Sequence, residues 1–168
     1  GPFGATAYPT PNLDRMASQG RRFTDFHSAT AVCSATRAAL MTGCYPERIS
    51  ILGALGPRSQ TGISKQETTI AELLKQRGYA TAIFGKWHLG SDAKGTGPKQ
   101  QGFDVSPPEL VNPGDGGEED APGGRRGKTG PENPKKIYSI TDAACAFMET
   151  NKDRPFFAYV AHHAVHSA

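Results

Sequence analysis

The sequence predicts an α/β fold, and three observations carry that prediction. An order of helix, apolar strand and basic loop occurs twice, over 69–90 and again over 139–166. The two strand segments, 79–84 and 155–161, are short apolar runs of the kind that form buried strands. No apolar run is long enough to span a bilayer, and 168 residues at 36% hydrophobic content are enough for one domain with a real core.

Charge and cysteine content bound the function. With 19 basic against 16 acidic residues the net charge is only +3, too slight to imply a nucleic-acid partner. Any preference for anions must therefore be local. The 3 cysteines, Cys33, Cys44 and Cys145, do not form a zinc-type cluster, and pairing of Cys44 with Cys145 stays open against two free thiols. The start, Gly1-Pro2-Phe3-Gly4, has neither the charged nor the apolar region of a leader and does not begin with Met. A processed chain or a fragment is expected.

Taken in order, Thr10 is a candidate N-cap with Pro11 at the first helical position, and Leu13, Met16 and Ala17 supply an apolar stripe before Gly20 closes the helix. Phe23 and Phe26 are expected to fix the next segment against the core. From Ala35 to Met41 the residues are good helix formers, and Thr42-Gly43 ends the run. The passage up to Gln66 reads as irregular. Helical spacing resumes over 69–77 through Ile70, Leu73 and Leu74, and Gly78 terminates it before the strand at 79–84. The composition of 91–136 shifts to Gly, Pro and charge, which predicts a flexible loop or insertion within a single domain spanning 1–168. Ser139 is a candidate cap for a helix through Asn151 with Ile140, Ala143, Ala144, Phe147 and Met148 inward, followed by the strand at 155–161.

The chemistry-bearing residues fall at helix starts and strand ends. Cys33 precedes the small residues Ser34, Ala35 and Thr36, and Arg37 follows one turn later on the same face. The first N–H groups of a helix lack internal partners and carry partial positive charge, so an anion held there would also meet the donor fork of Arg37. On Cys33 and Arg37 alone, a buried structural cysteine beside a surface arginine is the favoured reading. Lys86 and His88 lie in the turn Gly85-Lys86-Trp87-His88-Leu89-Gly90 directly after the first strand, and His162, His163 and His166 follow the second. In open α/β sheets ligands bind beyond the carboxyl ends of strands, so these groups could converge on one crevice. The alternative for each histidine is a solvated loop residue.

These residues also resemble a known family. Cys33-Ser34-Ala35-Thr36-Arg37 with Leu40, Thr42 and Gly43 resembles the first sulfatase signature, and Gly78-Tyr79-Ala80-Thr81 leading to 85–90 resembles the second. Thr10-Pro11-Asn12-Leu13-Asp14-Arg15, Gly102-Phe103-Asp104 and the segment from Pro155-Phe156-Phe157 to His166 are similar to further stretches of that family. Ala35 and Thr36 stand where Pro and Ser are more usual, Cys44 where many relatives carry Arg or Lys, and Val165 where Pro usually precedes the histidine.

The resemblance implies an alkaline-phosphatase-like α/β sandwich, a mostly parallel sheet flanked by helices, of which this chain would be part. It implies hydrolysis of sulfate esters, with a phosphate or phosphonate ester hydrolase and a non-catalytic anion- or glycan-binding relative as alternatives. Cys33 would be converted to formylglycine, whose hydrate attacks sulfur and, after the alcohol leaves, collapses back to the aldehyde. Arg37 would hold that group, Lys86 would bind sulfate oxygens, His88 would act as base for the collapse, and His166 would contact sulfate or protonate the leaving oxygen. The family also implies a divalent cation, usually Ca²⁺, with the modified Cys33 among its ligands. The remaining ligands are expected outside this chain, which alone would be inactive. Implied partners are a sulfated small molecule or glycan and the formylglycine-generating enzyme, with no transmembrane segment. The implied location is periplasmic, secreted or lysosomal.

Overall fold

The computed structural model describes residues 1–56, 59–111 and 134–164. Its centre is a parallel pair, β1 (Ala80–Gly85) and β2 (Phe156–Ala161), registered from Ala80 opposite Phe156 to Gly85 opposite Ala161. On the other edge of β1, single parallel bridges join Ala82 to Val105 and Gly85 to Val111. All six residues of β1 are buried. Its side chains alternate between faces, as a period of two requires. Ile83 joins one cluster with Ala35, Ala38, Met41, Ala71, Trp87 and Phe103, while Ala82 and Phe84 join Ile140 and Ala144 in another.

Helices cover both faces. α2 (Cys33–Thr42) and α3 (Ile70–Gln76) supply the first cluster, and α4 (Ile137–Asn151) supplies the second. This is the predicted parallel sheet flanked by helices. α3 is fixed by a capping box in which the Glu72 N–H donates to the Thr69 hydroxyl at 3.2 Å and the Thr69 N–H donates to the Glu72 carboxylate at 2.8 Å. Gly43 closes α2 with a left-handed backbone, φ 70. In α4 the predicted stripe is inward: Ile140 and Ala144 are buried, and Ala143, Phe147 and Met148 pack partly against them. Ser139 is not its cap, because the helix begins two residues earlier at Ile137.

Two expectations near the amino end are corrected. α1 (Pro11–Gln19) forms where predicted, but none of its residues is buried, and Leu13 and Met16 are 51% and 65% exposed. The Thr10 side chain makes no capping bond to the backbone. Its hydroxyl instead lies 3.3 Å from the Asp14 carboxylate. Phe23 and Phe26 pack against each other at 6.3 Å rather than against the core, and both are exposed. An amphipathic period creates an apolar face; whether that face is covered depends on what the fold sets opposite it.

Within 91–136, residues 98–111 are built into the fold. Phe103 is buried edge-on to Trp87 at 5.9 Å, and the Gln101 amide donates to the Ile63 carbonyl at 3.2 Å. A short 3-10 turn, Asp92–Lys94, precedes this run, and a second, Pro98–Gln101, opens it. The Gly-rich stretch 112–133 lies outside the described residues.

Candidate functional site

The site is assembled where α2 starts and where the two strands end. Val32 precedes α2 in an extended conformation and offers no side-chain cap, so the first N–H groups of the helix have no capping side chain. Cys33 opens the helix as a half-buried free thiol. Its neighbours are fastened: the buried Ser34 hydroxyl accepts from the Leu55 N–H at 3.0 Å, and the Thr36 hydroxyl donates to the Thr30 carbonyl at 2.5 Å.

Arg37 connects this helix to the turn after β1 and to β2. Its Nη1 donates to the Lys86 carbonyl at 2.6 Å and to the Tyr159 hydroxyl at 3.0 Å. The helix carrying Cys33 and the turn carrying Lys86 and His88, 49 residues apart in the chain at the Arg37 bond, are thereby joined. Tyr159 was not among the residues singled out in the sequence. The available signal was its parity: it shares a strand face with Phe157, which also packs on the cluster containing Phe103.

The exit from β1 is tightly constrained. Gly85 has φ 95, and a Cβ there would come within 2.1 Å of the Ala161 carbonyl oxygen. Only glycine lets the strands approach so closely. The Lys86 N–H then donates to that same carbonyl at 2.7 Å. Lys86 and His88 are both buried, and Trp87 between them is completely buried with its indole N–H donating to the Thr96 carbonyl at 3.1 Å. His88 holds φ 57, a left-handed conformation uncommon for a side chain of its size. It lines a small pocket with Leu55, Ser59, Thr61, Ser91 and Lys94.

Because the strands are parallel and Gly85 is registered with Ala161, Lys86 and His162 leave the sheet at the same carboxyl end. His162 and His163 are half-buried there, and His162 Nδ1 is a buried ring nitrogen with no hydrogen-bond partner among the described residues. His166 lies outside the described residues. Cys44 and Cys145, like Cys33, are free thiols, so the pairing left open in the sequence is not made.

For a divalent cation the donor set is insufficient. Among the described residues no three His, Cys, Asp or Glu side chains gather as ligands, so these residues do not form its cage. The position of Cys33 does fit a modified residue: it is free, partly accessible and one turn from an anchored cation. No helix among the described residues is long and apolar enough to cross a membrane.

A helix start, a guanidinium bonded to the turn after β1 and a buried lysine stand at the carboxyl ends of parallel strands flanked by helices, an α/β sandwich of the alkaline-phosphatase-like class. The chain belongs to the sulfatase family, whose model, described as Sulfatase, matches residues 3–168. It is similar to arylsulfatase A of Homo sapiens, at 46% identity over 105 residues, covering 61% of this chain and 21% of that protein. Among solved structures it resembles Ps i-CgsB, with a TM-score of 0.71 and 30% identity over 95% of this chain and 40% of that one; the same protein has been solved with k-i-k-neocarrahexaose. A protein of the alkaline phosphatase superfamily from Vibrio parahaemolyticus matches with a TM-score of 0.51 at 26% identity, covering 94% of this chain and 35% of that one. The chain thus spans about a fifth of the curated relative's length.

Proposed function

We propose that the protein to which this chain contributes hydrolyses organic sulfate esters, with Cys33 converted to formylglycine. The observation that carries the reading is the bond from Arg37 to the Lys86 carbonyl at 2.6 Å, which joins the two signature segments in one site. The modified Cys33 would supply the oxygen nucleophile. The first-turn N–H groups of α2 and Arg37 bind and orient the tetrahedral anion. Lys86 adds positive charge to the sulfate oxygens in a buried setting, where charge is less screened than in water. His88, held by its backbone and packed beside Trp87, moves the proton at the nucleophilic residue, and His166 assists the leaving oxygen.

A divalent cation, Ca²⁺ by family expectation, would draw its remaining ligands from outside the described residues. The substrate is a sulfated small molecule or glycan, supported by the solved complex of Ps i-CgsB with k-i-k-neocarrahexaose. Membership of the sulfatase family supports a formylglycine-generating enzyme as partner and an exported, periplasmic or lysosomal location.

Two measurements on the whole protein test this. Mass analysis of the Cys33 peptide is expected to show the aldehyde, and an intact thiol in an active preparation excludes the mechanism. Turnover of an aryl sulfate is expected to exceed that of the matching aryl phosphate; the reverse assigns the site to phosphate esters.

A further inference from the structure

We infer that Tyr159 is a positioning residue that holds Arg37 in the orientation needed for anion binding. This rests on the reading of Arg37 as an anion-binding group. Side chains on a helix lean toward its amino end, so the guanidinium of Arg37 is carried toward the turn that Cys33 opens. An arginine side chain is flexible, and something must hold its fork if it is to present a fixed edge. Two acceptors do so, and both take Nη1: the Lys86 carbonyl at 2.6 Å and the Tyr159 hydroxyl at 3.0 Å.

Each acceptor is itself immobilised. The Lys86 carbonyl is fixed by the turn at Gly85 and by the Lys86 N–H bond to Ala161 at 2.7 Å. Tyr159 is registered opposite Ile83, and its ring is stacked on buried Phe103 at 6.4 Å. With Nη1 engaged, Nε and Nη2 remain, and neither has another protein partner among the described residues. That edge of the guanidinium matches two oxygens of a tetrahedral oxyanion. A phenol suits this task better than a carboxylate, because it orients the cation without neutralising it. A carboxylate here would compete with sulfate for the same charge.

The test uses the whole protein and Tyr159→Phe, which removes the hydroxyl but keeps the ring on Phe103. Binding of inorganic sulfate is measured by calorimetry, alongside kcat and KM for an aryl sulfate and the thermal midpoint. Loss of one hydrogen bond to a charged group is expected to weaken sulfate binding about 5- to 20-fold and to raise KM in parallel, with the midpoint changed by less than about 2 °C. In an Arg37→Ala background the same substitution is expected to have no further effect on sulfate binding. Equal sulfate affinity in the wild type and Tyr159→Phe overturns the inference, as does an equal loss in the Arg37→Ala background. Sulfate binding that depends on Arg37 and Tyr159 without aryl sulfate turnover upholds the inference while rejecting the sulfatase reading.

Discussion

At the scale of a residue, the backbone of His88 is strained, with φ 57. A left-handed backbone at a non-glycine residue costs about 1–3 kcal/mol, and here it is maintained by buried Trp87 on one side and buried Leu89 on the other. Asparagine tolerates that conformation well but cannot serve as a base at neutral pH. The proton-transfer role proposed for His88 therefore predicts that His88→Asn in the whole protein lowers kcat about 10²- to 10⁴-fold. Its melting temperature should stay within about 3 °C of the wild type. Steady-state kinetics with a parallel thermal melt check both halves, and retained turnover removes His88 from the chemistry.

At the scale of elements, the segment 102–104 is tied to β1 and to α3. The Thr81 hydroxyl donates to the Gly102 carbonyl at 2.7 Å, and the Asp104 N–H donates to the Thr81 carbonyl at 3.0 Å. Asp104 also pairs with Lys75 of α3 at 2.5 Å. The Lys75 hydrogen bond lowers the carboxyl pKa below its ordinary value, desolvation opposes this, and the Thr81 bonds add to the lowering. A depressed folded-state pKa contributes stability above the unfolded value, near ~3.9, and loses it as pH falls through the folded value. The side chains are 42% and 51% exposed, so screening keeps the contribution to about 1 kcal/mol or less. Asp104→Asn should therefore lower stability slightly at pH 7, and the gap from wild type should close on acidification below about pH 4. Denaturant unfolding of both proteins across that range measures it; a gap that widens in acid contradicts the assignment.

At the scale of the molecule, no three His, Cys, Asp or Glu side chains gather as a cation cage among the described residues. The chain covers 21% of human arylsulfatase A, and α1 carries an apolar face that none of the described residues buries. Both observations predict that the 168-residue chain, expressed alone, fails to turn over aryl sulfate with or without added Ca²⁺. The assay is direct, and measurable turnover by the purified chain would show that the remaining ligands are not needed.

The sequence by itself determined most of the local structure and the family resemblance. Periodicity placed α3, α4 and both strands to within about two residues, because apolar spacing and the stop signal at Gly78 act over one or two turns of chain. Cys33, Arg37, Lys86 and His88 could be singled out as candidates because their order and spacing are themselves sequence properties. Only the tertiary structure decided the rest. Pairing of β1 with β2 brought Tyr159 to Arg37 across 122 residues, packing of Phe103 drew 98–111 into the core, and among the described residues nothing covers Leu13, Met16, Phe23 or Phe26. The physical reason is range: helix and turn formation answers to neighbours along the chain, whereas burial and the direction of a guanidinium answer to whatever the fold places opposite.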